Sequence, residues 1–155
     1  MQINKQTIDT WKDVIDIAQK DGAELGAFGL YSPKSDSVLH VVHPKYFFPW
    51  DIEERGPSNL VFAKYLIEWA RAFNREEINF MHIGPTVYKR QQIPVKVFTY
   101  HTHLSDLHTP SDDDGAHVSK IESPLEVVLS TSNDTGTTLA VIGYHPNWVP
   151  EGQED

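Results

Sequence analysis

The brevity of its apolar runs limits this chain more than any other feature: the longest extend about six to eight residues before Tyr, His or Gly interrupts them. Runs of that length suit strands and the faces of short helices, and fall far short of the ~20 apolar residues of a membrane span. Ile8, Trp11, Ile15 and Ala18 recur at helical spacing between Thr7 and Lys20, and Asp21-Gly22 supplies the stop. Leu25 to Tyr31 and Val38 to Val42 are strand candidates joined by the turn-rich stretch from Ser32 to Ser37. Gly26, Ala27 and Gly29 in the first of them predict a close backbone approach to a packed neighbour. Pro44 to Pro57, with Tyr46, Phe47, Phe48 and Trp50, reads as an irregular packed loop whose rings could line a cleft.

Pro57-Ser58 predicts the start of a second helix reaching about Asn74, with Val61, Tyr65, Trp69 and Ala72 on its apolar stripe. Strands are expected at Ile78 to Ile83 and Val95 to Tyr100, then a short polar helix from Ser111 to Glu122. A last strand pair, Leu125 to Ser130 and Thr138 to Tyr144, spans Asn133-Asp134-Thr135-Gly136. The order α-β-β-α-β-β-α-β-β predicts an α+β fold, a mixed α/β sandwich in which helices flank a central mixed sheet. At 155 residues it is expected to be a single domain with its core over about 7–144 and a flexible tail at 146–155.

Charge and cysteine content narrow the chemistry. A net charge of -9 and the absence of any basic cluster beyond Lys89-Arg90 argue against nucleic acid as a partner. With no cysteine, disulfides, thiolate metal sites and a cysteine nucleophile are all excluded, and a reducing compartment is the default. The polar stretch from Met1 to Lys12 has no signal-peptide pattern, so no membrane partner and a cytoplasmic location are expected. Any metal chemistry must then use imidazole and carboxylate.

The residues for it concentrate after the Val95 to Tyr100 strand. Side chains at i and i+2 of an extended segment share a face, so His101 and His103 can present two imidazoles to one ion. A catalytic zinc needs a third protein ligand and an open fourth position, and the acidic run Asp112-Asp113-Asp114 is the nearest supply. From His103, seven residues lead to Ser111 and three more to Asp114, giving His-x-His-x7-Ser-x-x-Asp. This spacing resembles the JAMM signature of the JAB/MPN family of zinc-dependent peptidases and isopeptidases. Glu24, at the head of the Gly-containing strand after the first helix, matches the glutamate that the family has there. The pattern differs from many members in having Leu104 where they have Pro, and in an extra His108 within the spacer.

The resemblance implies a cytidine-deaminase-like JAB/MPN architecture and one Zn2+ per chain, held by His101, His103 and Asp114, with water in the fourth position. It further implies Glu24 as general base and proton carrier, and Ser111 as hydrogen-bond donor to the oxyanion, a contribution of roughly 3 to 4 kcal/mol in comparable sites. The implied reaction is hydrolysis of an amide in a peptide or in the C-terminal tail of a ubiquitin-like protein. Two alternatives stand beside it: a noncatalytic interaction module of the same fold, and a hydrolase for a nonprotein amide. Structural readings stand beside the site residues as well. Ser111 can cap the expected helix with Asp114 completing a capping box, and Glu24 alone is typical of a solvated surface acid. His40, His43, His82, His108, His117 and His145 are scattered and are read as structural or surface residues.

Overall fold

The computed structural model describes residues 1–83, 86–90, 94–104, 120–131 and 138–144. A six-stranded mixed sheet forms its centre, in the order β1-β3-β2-β8-β9-β10. These strands are β1 (Gln2–Ile3), β2 (Gly26–Ser32), β3 (Ser37–Val41), β8 (Lys96–Thr102), β9 (Leu125–Thr131) and β10 (Thr138–Tyr144). β1 runs parallel to β3 and β8 parallel to β9, while the other pairings are antiparallel. Two hairpins lie outside this sheet, β4 (Ile52–Gly56) with β5 (Asn59–Phe62), and β6 (Phe80–Ile83) with β7 (Thr86–Lys89). The fold is therefore of the expected α+β class.

Helix α1 (Lys5–Asp21) begins where the Asn4 side chain accepts from the Thr7 N–H and ends at Gly22, which adopts φ 67°. That left-handed turn carries little penalty for glycine and stops the helix cleanly. Thr7, Trp11, Val14, Ile15 and Ala18 form its buried face. Ile8, expected on that stripe, is 42% exposed, and Val14 takes the place toward the core. Trp11 meets the Tyr100 ring edge-on at 5.8 Å, which puts α1 on the Tyr100 face of β8.

The opposite face is covered by the central part of the chain. Phe28 of β2 packs against Phe62 at 5.0 Å and Phe47 at 6.2 Å, so the aromatic loop supplies core rather than only surface. That loop is two single 3-10 turns (Pro44–Tyr46 and Pro49–Asp51) leading into β4. Pro57-Ser58 forms the turn of the β4–β5 hairpin and does not open a helix, because Leu60, Val61 and Phe62 favour a strand and the hairpin closes on Gly56 and Asn59. Helix α2 (Lys64–Asn74) starts six residues later and buries Leu66, Ile67, Ala70, Phe73 and Asn74. Its buried stripe is thus rotated by about one residue from the expected one; Tyr65 and Trp69 flank it, half-buried, in edge-to-face contact at 5.6 Å.

Asn74 joins three segments with one side chain. Its Nδ2 donates to the Val97 and Ile121 carbonyls, both at 2.9 Å, and its Oδ1 accepts from the Val97 N–H at 2.6 Å. The parallel β8–β9 register covers only Tyr100 to Thr102. The amide therefore completes the ladder at Val97, below the point where β9 begins to pair.

The sheet curls until its far strand meets its near turn. The Tyr144 hydroxyl, at the end of edge strand β10, donates to Asp36 Oδ1 and Oδ2 at 2.7 and 2.8 Å. Asp36 lies in the β2–β3 turn and also accepts from the Tyr31 hydroxyl at 2.5 Å, while the Met1 ammonium sits 3.2 Å from Oδ2. Among the described residues no helix is long and apolar enough to cross a membrane. The expected helix over Ser111 to Glu122 falls almost wholly outside the described residues, as do the 133–136 turn and the tail at 146–155.

Candidate metal centre

β2 and β8 build the centre between them. Their antiparallel register pairs Gly26 with His101, Ala27 with Tyr100 and Phe28 with Thr99. One pair further on, the Thr102 N–H donates to the Leu25 carbonyl at 2.8 Å and the Leu25 N–H donates to Thr102 Oγ1 at 2.9 Å. Glu24 and His103 each stand one residue beyond this Leu25–Thr102 contact. Residues two apart on a strand share a face, so Gly26 and His101 lie on the face opposite Tyr100 and α1.

Gly26 is needed for this close pairing. A Cβ there would lie 2.1 Å from the Tyr100 carbonyl oxygen and 2.8 Å from the His101 Cα. Any side chain at position 26 would push the imidazole-bearing strand away. The small residues of the 25–31 run thus do what their pattern predicts, and Gly29 makes room in the same way for the Phe98 ring, 2.4 Å from its would-be Cβ.

The two imidazoles meet. His101 Nε2 and His103 Nε2 are 3.0 Å apart, with ring centroids at 4.9 Å and planes at 57°. Two imidazole nitrogens on one tetrahedral zinc, each at 2.0–2.1 Å, stand about 3.3 Å from each other. The observed separation and the tilted rings fit that arrangement. They also fit a neutral N–H···N pair in which one ring donates and the other accepts. The pair sits at the last turn of β8, where the His103 N–H donates to the Leu129 carbonyl of β9 at 2.9 Å and fixes the strand end. Both rings are half-buried, partly shielded from bulk water yet approachable.

Glu24 is 8% exposed and is held by its peptide group. Its N–H donates to the Gly56 carbonyl at 2.8 Å, and its C=O accepts from Arg55 Nε at 2.7 Å. Both partners come from β4, the strand inside the stretch expected to be an irregular loop. A solvated surface acid is therefore not what position 24 holds. Arg55 and Gly56 were invisible as site residues in the sequence. The only local hint is the Gly-Pro-Ser-Asn turn that follows them, which marks a hairpin but not what the hairpin touches.

Ser111 and Asp114, and with them His108, lie outside the described residues. Among the described residues no three His, Asp or Glu side chains group closely enough to hold an ion. Two further histidines, His40 and His43, are engaged elsewhere. His43 Nε2 pairs with Asp13 at 2.6 Å while its Nδ1 accepts the Lys45 N–H at 3.0 Å. His40 packs on the Tyr88 ring at 5.4 Å, and burial holds its pKa below the ordinary value. No known family model matches the chain, and no curated protein matches it.

Proposed function

We propose that this chain is a zinc-dependent metallohydrolase of the JAMM type, cleaving an amide bond in a peptide or a ubiquitin-like tail. The observation that carries the reading is the 3.0 Å approach of His101 Nε2 to His103 Nε2, with buried Glu24 one residue before Leu25, whose peptide group bonds Thr102 between the two histidines. The His-x-His-x7-Ser-x-x-Asp spacing supports it, since it supplies a hydroxyl and a carboxylate at the positions the resemblance requires. A bound Zn2+ would act as a Lewis acid and lower the pKa of water to about 7.

In this reading His101, His103 and Asp114 hold the ion. Glu24 accepts a proton from the attacking water and passes it to the leaving amine. Its peptide anchors, Arg55 and Gly56, secure the backbone that carries the carboxylate. Ser111 donates its O–H to the oxyanion that develops on the scissile carbonyl. The acidic surface suits a partner of positive charge.

The test is turnover. Purified protein incubated with a panel of ubiquitin-like fusions and unrelated peptides should cleave at least one, lose that activity in chelator and regain it with zinc. Cleavage indifferent to chelator, or none across the panel, would contradict the hydrolase reading and favour an interaction module.

A further inference from the structure

We infer that Arg55 is a positioning residue for Glu24, clamping its peptide from the β4–β5 hairpin so that the carboxylate stays in register with the paired imidazoles. The inference rests on the hydrolase reading and adds to it the part that holds the base in place. The guanidinium makes three contacts to one short stretch. Nε donates to the Glu24 carbonyl at 2.7 Å, and Nη2 donates to Asp21 at 3.0 Å and toward the Ala23 carbonyl at 3.4 Å. The neighbouring Gly56 carbonyl takes the Glu24 N–H at 2.8 Å.

This stretch needs such a clamp. It follows directly on Gly22, the left-handed residue that ends α1, and precedes Gly26, where β2 begins. Residues 23–25 therefore have neither a helix nor a continuous ladder of their own. Arg55 and Gly56 supply partners for Glu24 on one side, and Thr102 secures Leu25 on the other. A planar guanidinium suits the task because its Nε and Nη2 reach a carbonyl and a carboxylate at once, which a lysine ammonium on a flexible stem does with less geometric constraint. Among the described residues Arg55 bonds the peptide of Glu24 and not its carboxylate or either imidazole, so its role is exerted through Glu24. Misplacing a reactive group by about 1 Å can cost on the order of 100-fold in rate.

The experiment compares wild type, Arg55→Ala and Arg55→Lys by hydrogen-exchange NMR, zinc content and steady-state kinetics on whichever panel substrate the wild type cleaves. In Arg55→Ala the amides of Glu24 and Leu25 should exchange at least about 10-fold faster while those of α1 and β8 keep their protection. Its kcat should fall about 10- to 100-fold with KM and zinc content unchanged, and Arg55→Lys should recover part of both losses. Unchanged exchange at Glu24, or unchanged kcat in an active wild type, overturns the positioning role and leaves the hydrolase reading standing. Wild-type protein that cleaves nothing overturns the hydrolase reading, and the inference falls with it.

Discussion

Two acidic residues in this molecule are equally buried, each 8% exposed, and among the described residues different atoms of each are seen to be anchored. Asp36 is fixed by its own oxygens, which take the Tyr31 and Tyr144 hydroxyls and face the Met1 ammonium. Glu24 is fixed through its peptide, by Arg55 and Gly56. The first arrangement makes the charge itself the fastener, joining the β2–β3 turn to the end of β10. The second secures the backbone that carries the charge. Replacing a carboxylate of the first kind should loosen the fold, whereas the two peptide anchors of Glu24 do not depend on which side chain position 24 carries.

Substitutions at the two positions should separate these roles. The largest effect is expected from Glu24→Gln, which should lower turnover by about 10²- to 10⁴-fold, equivalent to about 3 to 5 kcal/mol, while zinc content and Tm stay near wild type. Steady-state rates beside a melting curve check both halves. Asp36→Ala should show the reverse, about 2 to 4 kcal/mol of lost stability from stranding the buried Tyr31 hydroxyl and releasing Tyr144, seen as a fall in denaturation midpoint with little change in kcat of the folded fraction. Gly26→Ala, whose Cβ meets the Tyr100 oxygen at 2.1 Å, should cost about 1 to 3 kcal/mol and weaken zinc retention together, because it spreads the seam that carries both His101 and Glu24.

A smaller effect is expected in alkali, where the two carboxylates should again part company. Burial, with the hydrogen bond to Asp36 second, pushes the Tyr144 hydroxyl up to about 12. Burial and Asp36 raise Tyr31 still further. For an acid whose folded pKa is raised, the stabilisation is complete below the unfolded value of about 10 and is lost as pH climbs through the folded one. Wild-type stability should therefore decline between about pH 10 and 12, and Tyr144→Phe should flatten that decline. Tyr144 is 39% exposed, so solvent screens the effect. Equal slopes in denaturant titrations of the two proteins would show that the clasp does not titrate there.

Local patterns carried much of this fold. The helix stop at Asp21-Gly22, the β2–β3 hairpin and β10 are legible because each rests on turn chemistry or periodicity within a few residues. The β4–β5 hairpin was obscured because proline followed by serine marks helix starts and tight turns alike, and only Leu60-Val61-Phe62 beyond it decides for a strand. β1 and β7, at two and four residues, are too short to show a period. The site divides similarly. That His101 and His103 share a face follows from their spacing alone. Bringing the segment around Glu24 to the end of β8 depends on contacts across 77 residues, from Leu25 to Thr102, and no local pattern contains them. The resemblance to the JAMM pattern pointed to Glu24 where periodicity could not, but it did not indicate Arg55, whose bond to the Glu24 carbonyl depends on where a separate hairpin folds back.

The account rests on the paired imidazoles holding an ion rather than sharing a proton. The direct measurement is zinc content by elemental analysis of purified wild type, His101→Ala and Asp114→Ala, after dialysis against buffer with trace zinc. About one zinc per chain in the wild type, lost in both variants, is the predicted result. A wild type that takes up no zinc, or variants that keep the wild-type amount, would contradict it.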